Sequence, residues 1–436
     1  MAPEYWQPRG VIVMRFLQTF RQIPKPVRQS LTASFVAGLM FWSSLASLLP
    51  TLPLYVDSLG GTNAQIGWVM GAFAIGLLAC RAYLGRLADR RGRRLVMQIG
   101  LGVATIVPLF YAISPSIPML IVLRAIHGIS IAAFATGFSA LIADLAPVEQ
   151  RGEVIGYMSL VNPLGLAFGP AFGGWMQEIW GYQILFVMSS ALALAGLLMM
   201  MEVTEPRLFS PSDLSPSDRI EKNSEKMPRQ FWRTLWNPRV RVPATVLFMI
   251  GLVFGTLSAF LPLLIKQQHI QFNAGLFYMT AAITGFSIRL PMARISDRYG
   301  RGVFISIGLC FYALSMATVY AAQTSYGFLI AGGLEGIGSG IVIPAIATLL
   351  ADRSVASERG LVFGLAWAGF DLGIAIAGPI MGNAVEFLGL ANAFVVNTAL
   401  SLLALAIFST QSNHNIADSW RFATGQTADK YAIKGI

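Results

Sequence analysis

About twelve stretches of roughly 20 apolar residues follow one another between Leu31 and Ser409, separated by short polar connections. Each is long enough to cross the hydrocarbon of a bilayer as a helix, which needs about 20 residues at ~1.5 Å apiece. Lipid offers no partner to a backbone amide, so only helices or closed barrels can span it. Composition agrees: of 436 residues, 55% are hydrophobic and 12% charged, and the mean hydropathy is +0.63. A soluble domain carries about 25% charged residues, so too little polar surface exists here to face water on all sides. A soluble enzyme is excluded on these grounds; no catalytic residues, cofactor or metal ligands are expected. Cys80 and Cys310 fall inside apolar runs and form neither a disulfide framework nor a zinc site.

The net charge of +10 does not point to nucleic acid, because the cations occupy alternate connections. Arg9 through Arg28, Arg86 to Arg94, Arg151, the stretch Arg207 to Arg241, Arg294 to Arg301, and Arg353 with Arg359 make one set, while the opposite set holds essentially Lys266. That asymmetry predicts both termini and the central loop in the cytoplasm, with the protein in the plasma (inner) membrane. The first 30 residues are no secretory signal, since Arg15 and Arg21 interrupt each apolar core; Val11 to Phe20 could form a short interfacial helix. Glu202 to Arg241, rich in Ser, Pro and both charges, reads as a linker that cannot order itself. The expected organisation is a cytoplasmic segment 1–30, a six-helix bundle 31–201, a linker 202–241, a second six-helix bundle 242–410 and a cytoplasmic tail 411–436.

A fixed offset carries the first half onto the second. Arg81, Arg86, Asp89, Arg90, Gly92 and Arg93 fall on Arg289, Arg294, Asp297, Arg298, Gly300 and Arg301; Gly128 falls on Gly336, Asp144 on Asp352, and Gly152 on Gly360. One residue more aligns Gly169 and Pro170 with Gly378 and Pro379. An even number of spans separates the copies, so both halves face the same way. This is the parallel repeat of transporters that rock two bundles about a central site.

The string Gly85-Arg-Leu-Ala-Asp89-Arg-Arg-Gly92-Arg93-Arg94 after the second stretch resembles the loop signature of the major facilitator superfamily, and Ala293-Arg-Ile-Ser-Asp297-Arg-Tyr-Gly300-Arg301 is a weaker copy, with Ala where the pattern prefers Gly. The resemblance implies an all-α membrane protein of twelve transmembrane helices in two parallel-repeat bundles. It also implies a gate of Gly85, Asp89, Arg90, Gly92, Arg93 and Asp144, mirrored by Asp297, Arg298, Gly300, Arg301 and Asp352, that locks the outward-facing state. Asp89 is then expected against the N-terminus of the eleventh helix near Gly360, Arg93 beside Asp144, and Asp297 against the helix starting near Gly152. The fifth stretch holds Gly165-Leu-Ala-Phe-Gly169-Pro170-Ala-Phe-Gly173-Gly174. Glycines four apart allow close helix approach, and the string resembles the fifth-helix signature of exporters and antiporters. Pro50-Thr-Leu-Pro53-Leu-Tyr55 with Leu59-Gly60 is similar to the drug:proton antiporter branch.

Ionisable groups at bilayer depth cost at least about 2.5 kcal/mol and so mark function by default. Arg81 and Arg289 lie within about one turn of the cytoplasmic ends of their helices, where they can snorkel, anchor or touch the other half. Arg124, His127, Glu335 and Asp371 lie deeper. His127 and Glu335 are repeat mates, so a transport site between the halves is expected to face both, and Arg124 shares a face with His127. A buried carboxyl favours its neutral form unless a cation is close, which makes Glu335 and Asp371 expected proton carriers, or static partners of Arg124 or His127, with His127 a relay. Arg124 also resembles the fourth-helix arginine that antiporters place beside the proton path. Phe41, Trp42, Phe134, Phe138, Phe260, Trp367 and Phe370 are expected in the cavity wall.

These features point to a proton-coupled exporter of small amphipathic molecules working by antiport. The alternatives are a proton-coupled importer of a sugar, organic acid or siderophore-like solute, and a membrane sensor or scaffold without turnover. No Walker loop is present, so the proton gradient is the expected energy source. The expected partners are a small-molecule substrate, protons and the lipid bilayer, with no nucleic acid, and the expected state is a monomer.

Overall fold

A computed structural model describes residues 23–147, 150–205, 233–355 and 358–433, apart from the side chains of Leu290, Pro291, Ala293, Arg294, Asp297 and Arg298. Every regular element among the described residues is a helix. The first half holds α1 (Lys25–Ser47), α2 (Thr51–Ser58), α3 (Asn63–Arg91), α4 (Arg93–Ile113), α5 (Ile117–Leu145), α6 (Arg151–Met158) and α7 (Val161–Met200). The second holds α8 (Pro238–Gln267), α9 (Ala274–Tyr299), α10 (Arg301–Ala321), α11 (Ser325–Asp352), α12 (Arg359–Leu388) and α13 (Leu390–Gln411), followed by α14 (Ile416–Ala423). Val11 to Phe20 and linker residues 206–232 lie outside the described residues.

Ten continuous helical stretches among the described residues are long and apolar enough to cross a membrane. One of them, Arg151–Met200, breaks at Gly181, where φ is +81° and ψ 178°, so that α7 supplies two crossings. With α9, whose arginines thin its apolar content, the set reaches twelve. The first span is broken where a bend was expected: α1 stops at Ser47, and α2 starts after Pro50.

Local chemistry sets the boundaries. Thr62 begins α3 with a capping box, its hydroxyl accepting from the Gln65 N–H at 3.3 Å while the Gln65 side chain accepts from the Thr62 N–H at 3.0 Å. Single glycines at positive φ, Gly92 (+110°) and Gly300 (+90°), turn α3 into α4 and α9 into α10, a backbone region closed to most side chains.

The two halves repeat one packing pattern. In the first, α1 lies along α7 and α5 packs against α3 and α4; in the second, α8 lies along α12 and α11 packs against α9 and α10. The halves meet where α3 crosses α12 and α7 crosses α9. We call the end carrying the arginine loops the basic end and the other the far end. At the far end one apolar core is continuous across both halves, joining Leu48, Leu52, Ile66 and Met70 to Leu257, Leu261 and Phe277. Toward the basic end the first half keeps a core of its own around Leu31, Phe41, Leu141, Val154 and Met200.

The tail folds back onto the basic end of the second half. Asn415 caps α14 by accepting from the Asp418 N–H at 2.8 Å, and Ser419, Phe422 and Ala423 are buried. Beyond it, Asp429 accepts from both arms of the fully buried Arg353 guanidinium at 2.7 and 3.0 Å. Arg353 also donates to the Ser412 carbonyl at 2.8 Å, and the Ile433 N–H donates to the Asp352 carbonyl at 2.9 Å.

Candidate functional site

The interface between the halves is sealed at one end only. At the far end Gly67 and Gly378 meet backbone to backbone, and a Cβ on either would overlap the carbonyl of the other. Asn273 donates to the Ala171 carbonyl at 3.1 Å, and Lys266 reaches Asp57 at 2.6 Å. At the basic end a Cβ placed on Gly152, Gly156, Gly360 or Gly364 would meet nothing within 4 Å. The halves are therefore parted there, and a cavity between them opens toward the arginine loops.

At the inner edge of the seal lies an ion pair across the interface: the Arg81 guanidinium of α3 donates to the Asp371 carboxylate of α12. Asp371 is buried, at 9% exposure. Counted from the basic ends of their helices, Arg91 and Arg359, Arg81 is about 15 Å and Asp371 about 18 Å deep at ~1.5 Å per residue, so the two meet at nearly one level and Arg81 lies well inside its helix rather than within a turn of its end. Of the sequence-derived partners for Asp371, neither Arg124 nor His127 is the one it contacts. Trp367 and Phe370, on the same stretch of α12, pack edge to face at 5.8 Å and are partly exposed.

The other deep ionisable groups are not gathered around that pair. His127 is fully buried within the first half, its Nδ1 3.0 Å from the Tyr111 hydroxyl of α4 and its ring against Phe73 of α3. Arg124 lies with its guanidinium 4.2 Å from the Phe73 ring centre, a cation–π contact that offsets part of its burial. Glu335, 8% exposed, lies within the second half facing Tyr312 of α10 and Arg289 of α9. His127 and Glu335 thus occupy matching positions, each beside a tyrosine of the neighbouring helix, and each is turned into its own half. Of the expected wall aromatics, Phe41, Phe134 and Phe260 are fully buried, with Phe41 stacked on Phe134 at 4.0 Å.

In the gate loop, Arg93 is 3.1 Å from Asp144 and 3.7 Å from Asp89, whose side chain is 74% exposed. Asp89 and Gly360 are not brought together: a Cβ on Gly360 would meet nothing within 4 Å. Gly85 packs loosely, with only Thr136 near a Cβ built on it, and Arg90 is exposed. In the mirror loop Arg301 lies 3.4 Å from Asp352, while the Asp297 and Arg298 side chains lie outside the described residues. One residue that sequence reasoning passed over is Glu205, whose carboxylate accepts from the Arg93 N–H at 2.6 Å and the Arg94 N–H at 3.3 Å. It caps the N-terminus of α4, where an anion is favoured by the helix dipole. Glu205→Ala is expected to cost about 1 kcal/mol, seen as a lower thermal unfolding midpoint in detergent; an unchanged midpoint rules the cap out. Among the described residues no group of His, Cys, Asp and Glu could hold a metal ion.

The family model described as Major Facilitator Superfamily matches residues 31–291 and 286–421. The chain belongs to the major facilitator superfamily. Its members are transporters rather than enzymes, and this chain is an integral multi-pass membrane transporter. It is 27% identical over 398 residues to multidrug resistance protein MdtG of Klebsiella pneumoniae (strain 342), covering 88% of this chain and 93% of that protein. MdtG of Salmonella paratyphi A is also 27% identical, over 404 residues, covering 89% and 96%. Among solved structures, a bacterial homologue of the human lysosomal transporter Spinster, inward-facing and unoccupied, superimposes with a TM-score of 0.72 at 15% identity, covering 93% of this chain and 99% of that one. The inward-open xylose transporter XylE from E. coli gives 0.69 at 15% identity, covering 88% and 96%.

Within this major facilitator fold, the glycine string of the fifth span joins three helices. Gly165, Gly169 and Gly173 form one stripe seated on Trp42, Ser43, Ala46 and Ser47 of α1, while Pro170 and Gly174 turn toward Gly275 and Asn273 at the start of α9. The string therefore packs α7 within its own half and against the other half at once.

Proposed function

We propose that this transporter exports small amphipathic molecules in exchange for protons, with both termini and the open, basic end in the cytoplasm. The positive-inside distribution of Arg and Lys supports that orientation, and the similarity to multidrug resistance protein MdtG along nearly the whole chain supports the substrate class. The Gly165 to Gly174 string, packed between α1 and α9, supports the antiporter branch.

The observation that carries the coupling is the Arg81–Asp371 pair. While Asp371 is charged it holds Arg81 and keeps α3 and α12 together, so the empty carrier stays in place. A proton on the carboxylate, or a cationic substrate competing for it, releases Arg81 and lets the far end part. Both ligands act on one acid and exclude each other there, so the bundle switches only when one of them is bound, which is the condition for exchange. Glu335 and His127, turned into their own halves, remain secondary candidates for proton handling.

The test is flux of a lipophilic cation such as ethidium. Cells making the protein are expected to extrude it, extrusion is expected to stop when the proton gradient is collapsed, and in vesicles protons are expected to move opposite to ethidium. Co-directional movement assigns an importer instead, and binding without flux a sensor.

A further inference from the structure

The folded-back tail presents its short helix in a particular attitude. Around α14, Ser419, Phe422 and Ala423 make the docked side, and Ala417, Asp418 and Arg421 fall on a second side. Ile416 and Trp420, four apart and so on one stripe, make a third. These two large apolar side chains are 69% and 58% exposed, although the Arg353–Asp429 fork ties down the segment that follows the helix. Beside Trp420 is an open groove of about 260 Å³, walled by Leu402, Leu405, Ala406 and Ser409 of α13, Ser306 of α10, and Trp420, Ala423 and Thr424, with hydroxyls at three of these eight positions.

We propose that α14 is a membrane-surface helix and that this groove receives an acyl chain of a phospholipid from the leaflet at the basic end. The groove is continuous with the lipid-facing side of the bundle, because Leu402 and its neighbour Leu403 are half exposed on the outer face of α13. Its depth fits: α13 ends at Gln411, so Leu402 lies about 14 Å in from the end at ~1.5 Å per residue. The groove thus runs from headgroup level into the acyl region. A tryptophan at its mouth is the side chain favoured at that boundary, where an apolar ring and a polar N–H are both accommodated. Charge is complementary as well. Arg421 is exposed beside Trp420, and Asp418, the acid on the same helix, is held by the Lys430 ammonium at 2.6 Å, which leaves the local surface cationic toward lipid phosphate.

The test uses the full chain with Cys80 and Cys310, the free cysteines, replaced by Ser, reconstituted in vesicles of phosphatidylcholine and phosphatidylglycerol. Nitroxide labels at Ile416→Cys and Trp420→Cys are expected to collide with oxygen more than with a water-soluble nickel chelate, and a label at Ala417→Cys to show the reverse. Bromine on the lipid acyl chain is expected to quench the part of the emission that Trp420→Tyr removes, and Ala406→Phe, which fills the groove, to lower that quenching to the level that bulk lipid gives on the exposed stripe; quenching unchanged by Ala406→Phe overturns the acyl site. Equal nickel access at all three positions overturns the proposal. So does relief of the quenching by added ethidium, which gives the groove to a transported solute, or protection that depends on protein concentration, which gives it to a second copy of the chain.

Discussion

Asp371→Asn is expected to insert and fold normally yet lose the ability to accumulate or expel solute against a gradient, by about a hundredfold, equivalent to ~2.7 kcal/mol. Folding is spared because the Arg81 side chain is 38% exposed in the intact pair and regains water when released, so the loss is far below that of a sealed pair. Downhill equilibration is expected to persist, because without the carboxylate the part of the seal that answers to a proton or a cation is gone, while the backbone contact of Gly67 with Gly378 remains. The measurement compares gradient-driven and passive ethidium flux in the same vesicles. An Asn variant that still concentrates solute removes Asp371 from the coupling, and Glu335→Gln then becomes the variant to test.

Gly67→Val acts on the opposite side of the cycle. Its Cβ would fall on the Gly378 carbonyl, backbone on both sides, with no flexible side chain able to yield. Overpacking of this kind costs about 1 to 3 kcal/mol; the strain is relieved entirely if the far end opens, so the population shifts by about tenfold per 1.4 kcal/mol. Transport is expected to fall by between about fivefold and about 150-fold, the range that the 1 to 3 kcal/mol gives. A cysteine at Ala64 is expected to label faster than in the parent, and a cysteine at Asp89, now covered by the closed basic end, more slowly. Labelling rates unchanged at both positions mean that the far end does not close through this contact.

How much of this was readable beforehand depends on the range of each determinant. The spans and the repeat were legible because apolar length is a property of consecutive residues. The depth of Arg81 was not: α3 continues to Arg91, past the end of the apolar run, so the arginine lies about 15 Å inside its helix at ~1.5 Å per residue, and only the approach of α12 supplies its partner. Arg353 with Asp429, and Glu205 with the start of α4, are pairings between distant segments that leave no local trace. The rotation of α5 and α11 was equally hidden. Both helices are apolar all round, so no stripe marks an inward side, and His127 and Glu335 could not be assigned a direction from sequence. Lys266 carried a faint signal as the lone cation of its end, with Asp57 among the few acids able to meet it.

The continuous apolar core at the far end has a consequence for how the carrier responds to its bath. That seal is made of hydrocarbon and backbone, with one exposed ion pair, and dissolved electrolyte hardly touches such contacts. The opposite closure, on the gate proposed from the loop signature, would rest on Asp89 and a crowd of arginines at a wet surface, where counterions shield attraction beyond a Debye length of about 8 Å at physiological strength. Electrolyte therefore weighs on only one arm of the balance: raising it on the side of the basic end favours the arrangement described here, and dilution favours its counterpart, before any solute has bound.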